Sequence, residues 1–492
     1  MCFGAPQGNH RPLPSQYGYQ TGYTSATVAD HFDLGILGGG SGGYVAAIRA
    51  AQLGMSVVLV ESDKVGGVCL HRGCIPTKVL LQTAFLVDAL AGAHRFGLDV
   101  QQNGLDYGVT QVRKAAVVSQ LHRGIEFLLK KNKVTFVAGR GRLGGEKQLL
   151  VETGGGQSEY QVGSVILATG SRPRSLPGLP MDGKRVITSD EALEMAKVPD
   201  SAIVLGAGAV GVEFASLWRS LGAEVTLVEM APSLVPLEDA DIGAELAKRF
   251  MARGITCHTS AKLDSGSVQL SDHGVQVSIT GEQGEKELSA EVLLCAIGRS
   301  ANVEELGLEA HGIRTERGMV LVDSRMETSA KGIYAVGDMV GGFQLAHKAM
   351  HEGVIAAEAI AGLSPYPLEG RHVPRTTYCS PQIGSLGLSE QEAIDQGYTV
   401  SCGVMPFRAN GRALIWGEPD GFCKVVADSS NDEVLGVHMI GHEVTELIAG
   451  PALGALLEAS PFELVHAVAP HPTLSEVLGE AALAVSGKAI HI

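Results

Sequence analysis

Two cysteines, Cys69 and Cys74, have four residues between them in the run GGVCLHRGCIPTKVLL. A thiol pair this close, with Gly73 in the link, can bring its sulfurs together as a strained, readily reduced disulfide. Pro76, followed by Thr77, Lys78 and an apolar stretch, reads as a helix start. Cys74 then lies near a helix N-terminus, whose dipole favours the nucleophilic thiolate. Zinc is a competing use for paired cysteines. A structural zinc site needs four ligands, and no second close Cys/His pair exists, so no metal is expected. Two unpaired core thiols are the other alternative, weakened by the polar His71 and Arg72 between them.

A second chemistry is written in glycines. Leu34–Leu37 reads as an apolar strand entering Gly38-x-Gly40-x-x-Gly43, followed by an Ala-rich helix and a second strand ending at Glu61. Glycines at these positions permit a tight turn, close backbone approach to a pyrophosphate and tight helix–strand packing. The helix start offers amides and dipole to phosphates, and the acid can hold ribose hydroxyls. The pattern repeats at Gly206-x-Gly208-x-x-Gly211 with Glu229 closing its second strand. From first glycine to acid is 23 residues in both copies, so two separate dinucleotide sites are expected, with a duplicated structural motif as the alternative. Glu229 would repel a 2′-phosphate, and Met230 to Leu237 hold no Arg or Lys to welcome one, so the second site favours NAD over NADP.

The elements that position these groups need a large chain, and 492 residues suggest about three domains. With 45% hydrophobic and 18% charged residues it can bury several cores. Its 64 glycines follow no G-X-Y period, which excludes collagen and points to tight turns and close ligand approaches. A net charge of −15 disfavours nucleic acid and anionic membranes, and no uninterrupted apolar run is long enough to span a bilayer. Residues 1–30 show neither a secretory nor a mitochondrial signal and read as a disordered tail or a misplaced start. Eight cysteines in this length are no disulfide scaffold, so a reducing, cytoplasmic setting is expected, with Cys257 and Cys295 as small core residues.

From Phe32 to about Val485 the chain resembles the flavin-dependent disulfide reductases of the pyridine-nucleotide family, and among them the members that oxidise dihydrolipoyl groups. The GGVCLHRGCIPTK segment carries the resemblance most specifically, with Val68 where the family usually has Thr. The resemblance implies FAD at the first site and NAD at the second, and Cys69–Cys74 as a redox disulfide with Cys69 exchanging and Cys74 facing the flavin. It places Lys78 and Glu213 beside the flavin ring, and VILATGSRP, with Thr169, Gly170 and Ser171, where the first domain meets FAD again. It adds Gly141 and Gly298 as cofactor-binding positions, Asp338 at the ribityl chain, and Gln344, Leu345, Ala346 and His347 along the flavin. In HAVAPHPTLSEVLGEAAL it makes His471 the acid–base and Glu476 the holder of its ring, with His466 structural. Thr473-x-x-Glu476 also reads as a capping box for the following helix.

The implied fold is α/β: two Rossmann-like dinucleotide-binding domains, one for FAD and one for NAD, plus a C-terminal α+β dimerisation domain. The expected layout is 31–175 for FAD, 176–310 for NAD, a central segment 311–368 returning to FAD, and 369–492 at the C-terminus, bounded by Pro/Gly-rich links. Capping signatures at 188–191 and 389–392 mark further helix starts. The implied activity oxidises protein-bound dihydrolipoyl groups with reduction of NAD+, in a homodimer whose His471 serves the neighbouring subunit. The lipoyl group would arrive on an acyltransferase of a 2-oxoacid dehydrogenase complex, because the chain has no lipoyl extension. Mercuric and glutathione-type reductases are the rivals. The former usually end in a vicinal cysteine pair, whereas this chain ends SGKAIHI, and the latter usually carry arginines after the second acid.

Overall fold

Strand pairing in the computed structural model, which describes residues 31–492 apart from Gln102 and Gln283, builds three main sheets. The expected N-terminal tail lies outside the described residues. The first sheet orders Thr135–Ala138, Val57–Glu61, His31–Leu37, Gly156–Leu167, Gln148–Thr153 and Arg140–Leu143. Its first four strands run parallel, with Leu34 opposite Val57 and Ile36 opposite Ile166. The short strand Ile333–Ala335 returns from far down the chain to pair with Gly156–Leu167. The second sheet is parallel throughout: Thr256–His258, Glu224–Val228, Ser201–Leu205, Val292–Cys295 and Val186–Ile187. The third is antiparallel and lies in the C-terminal unit, running Arg375–Thr377, Gln382–Gly387, Glu433–Gly441, Phe422–Asp428 and Val400–Pro406. Two doubly wound sheets followed by an α+β unit is the architecture the resemblance implied.

The two parallel sheets repeat one another in atomic detail. Gly38 and Gly206 turn with φ of +102° and +100°, a left-handed conformation that a side chain resists. A Cβ on Gly43 would lie 1.9 Å from the Gly38 carbonyl oxygen, and one on Gly211 the same 1.9 Å from that of Gly206. These glycines let the helices Ser41–Gln52 and Ala209–Ser220 sit directly against the strands that feed them. Gly211→Ala should therefore lower stability by about 1–3 kcal/mol through overpacking, read as a fall in Tm.

One core joins the second and third sheets to the dithiol segment. Phe214, Trp218 and Phe250 pack with Leu80 and Ala84 from the helix Cys74–Ala91 and with Ile383 and Ile440 from the C-terminal sheet. The stretch Gly67–Ala91 is long and apolar enough by composition to cross a membrane, although Lys78 and Asp88 interrupt its apolar run. Both charges are ion-paired within the fold, to Glu213 and Arg253. The helix breaks at Gly73 and gives Leu80 and Ala84 to the core. Both capping signatures form: Thr188 with Glu191, and Ser389 with Glu392.

Candidate active site

Cys69 and Cys74 sit on two helices in series rather than on a loop: Gly67–Arg72 and Cys74–Ala91, hinged at Gly73. A Cβ at Gly73 would come within 3.0 Å of the Val68 carbonyl oxygen and 3.3 Å of Cys69 Cα, so glycine is what lets the chain double back there. Both cysteines are half-buried free thiols, joined by a hydrogen bond. Cys74 opens an 18-residue helix that no side chain caps, which directs unpaired amides at its sulfur. The hydrogen bond from Cys69, helped by the charge of Lys78, brings Cys74 down to about 7 against burial and Glu213. Cys69 moves the other way, raised by the same hydrogen bond and by burial. The pair is therefore polarised, with Cys74 the thiolate and Cys69 the thiol. Ser41, at the start of the first glycine-fed helix, also reaches Cys69.

Lys78 stands one helical turn beyond Cys74. Its ammonium donates to both carboxylate oxygens of buried Glu213 at 2.8 Å, which ties the dithiol helix to the second dinucleotide unit. Burial works against the charge of Lys78, but Glu213 outweighs it and its pKa is raised.

The other expected positions make their own contacts. Thr169 donates to the Asn302 carbonyl at 2.6 Å, and Asn302 returns a hydrogen bond to the Thr169 carbonyl at 2.9 Å. Gly170 turns with φ +68°, and the Ser171 hydroxyl donates to Asp338 at 2.5 Å. Gly298 turns with φ +112°, and its carbonyl accepts from Arg174 at 3.0 Å. Gln344 reaches the Asp338 carbonyl at 3.4 Å. Leu345 and Ala346 begin the helix Ala346–Ile360, again without a side-chain cap. His347 is committed to the Pro374 carbonyl at 2.8 Å, so its ring links this segment to the C-terminal unit. Gly141 lies within the first sheet, in the strand Arg140–Leu143, where a Cβ would meet Leu37 at 2.5 Å.

The glycine turns fit dinucleotides. Gly40 and Gly208 are extended and open their helices without side-chain caps, so the first-turn amides remain available to an anion. A Cβ on Gly208 would meet nothing within 4 Å, which leaves the space a pyrophosphate needs. Glu61 accepts the Gly39 amide at 2.6 Å and the Asp63 amide at 2.8 Å. Glu229 copies it on the Ala207 and Ala231 amides, both at 2.7 Å. A carboxylate has about four acceptor sites, so each acid keeps capacity for ribose hydroxyls. Gly208→Ala should leave Tm unchanged while filling the pyrophosphate space, so NAD affinity measured by calorimetry should fall with no loss of fold.

His471 stands in the turn that precedes the helix Glu476–Val485. It is 79% exposed, and its Nδ1 is 2.8 Å from Glu476 Oε1. The other oxygen of Glu476 accepts the Thr473 amide at 2.9 Å, but the Thr473 hydroxyl donates to the Pro470 carbonyl instead of capping the helix Glu476–Val485. The expected capping box is thus half formed, and one carboxylate both steadies the turn and holds the imidazole. His466 bonds the Phe462 carbonyl at 2.8 Å and stacks on the Phe462 ring. Among the described residues no cluster of His, Cys, Asp and Glu could hold a metal ion.

The pattern of the pyridine nucleotide-disulphide oxidoreductases matches residues 32–353, and that of their dimerisation domain matches residues 373–482. The chain belongs to this family. Dihydrolipoyl dehydrogenase of Bacillus subtilis is 46% identical over 475 residues, covering 94% of this chain and 100% of that protein. The enzyme of the same name from Zymomonas mobilis is 45% identical, covering 94% and 100%. Among solved structures, LpdA from Mycobacterium tuberculosis superposes with a TM-score of 0.85 at 29% identity, covering 92% of this chain and 99% of that one. This pyridine nucleotide-disulphide oxidoreductase is a homodimer through its C-terminal unit, where Leu453, Leu457, Phe462 and Val468 are exposed apolar side chains.

Several residues of the oxidoreductase's site escaped sequence reasoning. Arg299 donates to the Ser171 hydroxyl at 2.7 Å and to its carbonyl at 2.8 Å, within 3.9 Å of Asp338. Its position directly after Gly298 was the available signal. Buried Glu352 accepts the Gly337 amide at 2.8 Å and pairs with Lys348, which steadies the turn that carries Asp338. Tyr378 covers Lys78 with its ring.

Proposed function

We propose that this chain is a dihydrolipoyl dehydrogenase that oxidises protein-bound dihydrolipoyl groups to the disulfide and reduces NAD+. The observation that carries the reading is the polarised dithiol, with Cys74 held as thiolate between a helix N-terminus and the Lys78–Glu213 pair. The first glycine turn, with Glu61, Gly141, Thr169 to Ser171, Asp338 and Gln344 to His347, would hold FAD. The second, with Glu229 and Gly298, would hold NAD. When bound, these two groups supply the two-electron acceptor chemistry that returns the dithiol to its disulfide.

The thiol exchange follows from the residues. In the oxidised protein a substrate thiolate, deprotonated by His471, attacks Cys69 Sγ of the Cys69–Cys74 disulfide. A mixed disulfide forms at Cys69 and Cys74 leaves as thiolate, the better leaving group because its proton is the more weakly held. The second substrate thiol attacks the substrate sulfur of the mixed disulfide. It forms the cyclic disulfide and releases Cys69, which takes a proton. Of the two substrate protons, one ends on Cys69 and one on His471. Glu476 keeps the imidazole oriented for both transfers. His471 would act on the dithiol of the neighbouring subunit, in keeping with its exposure. The lipoyl group would be presented by an acyltransferase of a 2-oxoacid dehydrogenase complex, in the cytoplasm.

Cys69→Ser should abolish dithiol oxidation while leaving the absorbance band that a Cys74 thiolate gives beside a flavin. Loss of that band with Cys74 intact would reverse the two roles. Glu229→Ala should raise KM for NAD by about ten- to a hundredfold with kcat little changed, because hydrogen bonds to a charged acceptor are lost in ground state and transition state alike.

A further inference from the structure

The C-terminal unit reaches the dithiol of its own chain as well as offering His471 outward. Its strand Arg375–Thr377 leads into Tyr378, whose backbone amide donates to Glu213 Oε1 at 2.9 Å. The Tyr378 ring lies over the Lys78 ammonium at 4.7 Å from its centroid. The next residues lock this segment in place. The Ser380 amide donates to the Ser216 hydroxyl at 2.9 Å, and Arg253 ties the Ser380 carbonyl at 2.7 Å to Ser216, Ser220 and Asp88. Tyr378 therefore cannot shift independently of the helix that carries Glu213. The ring thus covers an ammonium that both carboxylate oxygens of Glu213 also hold.

We propose that Tyr378 is a positioning residue for the dithiol chemistry: its ring holds the Lys78 ammonium one helical turn from Cys74, so that the seating of the C-terminal unit sets how readily Cys74 becomes a thiolate. This deepens the proposed function and rests on Cys74 being the thiolate-forming member of the pair. The charged and titratable groups facing Cys74 are Cys69 from the preceding helix, Lys78 from its own, Glu213 from the second dinucleotide unit and Arg299 from the strand Arg299–Ala301. Those facing Lys78 are Glu213, Cys74, Cys69, Tyr378 and the buried thiol of Cys379. Lys78 is the stabilising cation on the dithiol helix itself, and the face of an aromatic ring attracts it without competing for its proton. Losing the ring weakens its field at the sulfur and leaves Glu213, which opposes the thiolate, less compensated.

The test is the pH dependence of alkylation of Cys74 by iodoacetamide in phosphine-reduced holoprotein, read by peptide mass spectrometry. Wild type should show a midpoint near 7, and Tyr378→Phe, which keeps the ring, should match it. Tyr378→Leu and Tyr378→Met should raise the midpoint by about half to one unit. In a Lys78→Met background, Tyr378→Leu should add no further shift. An unchanged midpoint in the leucine and methionine variants overturns the proposal, as does an additive shift in the Lys78→Met background. If Cys69 rather than Cys74 has the lower midpoint in wild type, the assignment of the two thiols fails, and the proposal fails with it.

Discussion

Cys74→Ser should lower NAD reduction by dihydrolipoamide on the order of 10^4-fold while leaving Tm within a few degrees of wild type. Serine nearly matches the thiol in size, and the helix start that holds the residue is built from backbone amides and the Gly73 hinge, none of which depends on sulfur. A hydroxyl forms no disulfide and does not ionise near neutrality, so both exchange at Cys69 and the poised thiolate are lost together. Cys69→Ala should be as inactive in turnover but distinguishable in titration. The hydrogen bond from Cys69 is the largest influence lowering Cys74, so removing it should raise the Cys74 alkylation midpoint above the wild-type value of about 7. The sign follows from the charged form: a depressed thiol is ionised above its midpoint, and losing its main donor narrows that range from below.

His471→Gln should cost about 10^2–10^4-fold in kcat, the usual worth of a positioned acid–base group, with NAD affinity unchanged. Glu476→Gln should cost less, because an amide oxygen still meets Nδ1 although the charge that orients and supports the imidazolium is gone. The wild-type carboxylate is held ionised: burial raises it, but the hydrogen bonds from His471 and Thr473 prevail and its pKa is lowered. The place of His471 gives this prediction a sharper form. Its ring is exposed, whereas the groups acting on the thiols of the same chain are Ser41, Lys78 and Glu213. Mixing the inactive Cys74→Ser and His471→Gln proteins under subunit exchange should restore about a quarter of wild-type activity, since half the dimers are mixed and each has one intact site of two. If the histidine served its own chain, every site would keep one lesion and activity would stay at the level of the separate variants.

What could be read from the chain was what local spacing encodes. Gly38, Gly43, Gly206 and Gly211 each answer a backbone demand within one strand–turn–helix, while Gly40 and Gly208 leave the helix start open, so the turn, the helix and the acid were all foreseeable. The capping boxes at Thr188 and Ser389 were equally local. Thr473 shows the limit of such signatures: its side chain took a nearby carbonyl, and Glu476 was left to serve His471. The dithiol segment, expected to turn at Gly73 with a helix starting near Pro76, is helical on both sides of Gly73, because one glycine hinge suffices to turn the chain. Lys348 and Glu352 stand at the i,i+4 spacing of a helix ion pair, but the pairing of Arg299 with Ser171 carried no periodic signal, and Tyr378 meets Lys78 from a unit 300 residues downstream. Contacts of that range arise from packing separate units of the chain against one another, and no local pattern announces them.

The most direct measurement compares kcat/KM for NADH formation from dihydrolipoamide with that for NADPH oxidation by glutathione disulfide on one purified preparation. The polarised dithiol, the acidic second site and the absence of basic residues after Glu229 predict that the first exceeds the second by at least about a hundredfold. A glutathione disulfide reaction as fast as the dihydrolipoamide one, supported by NADPH, would contradict the account.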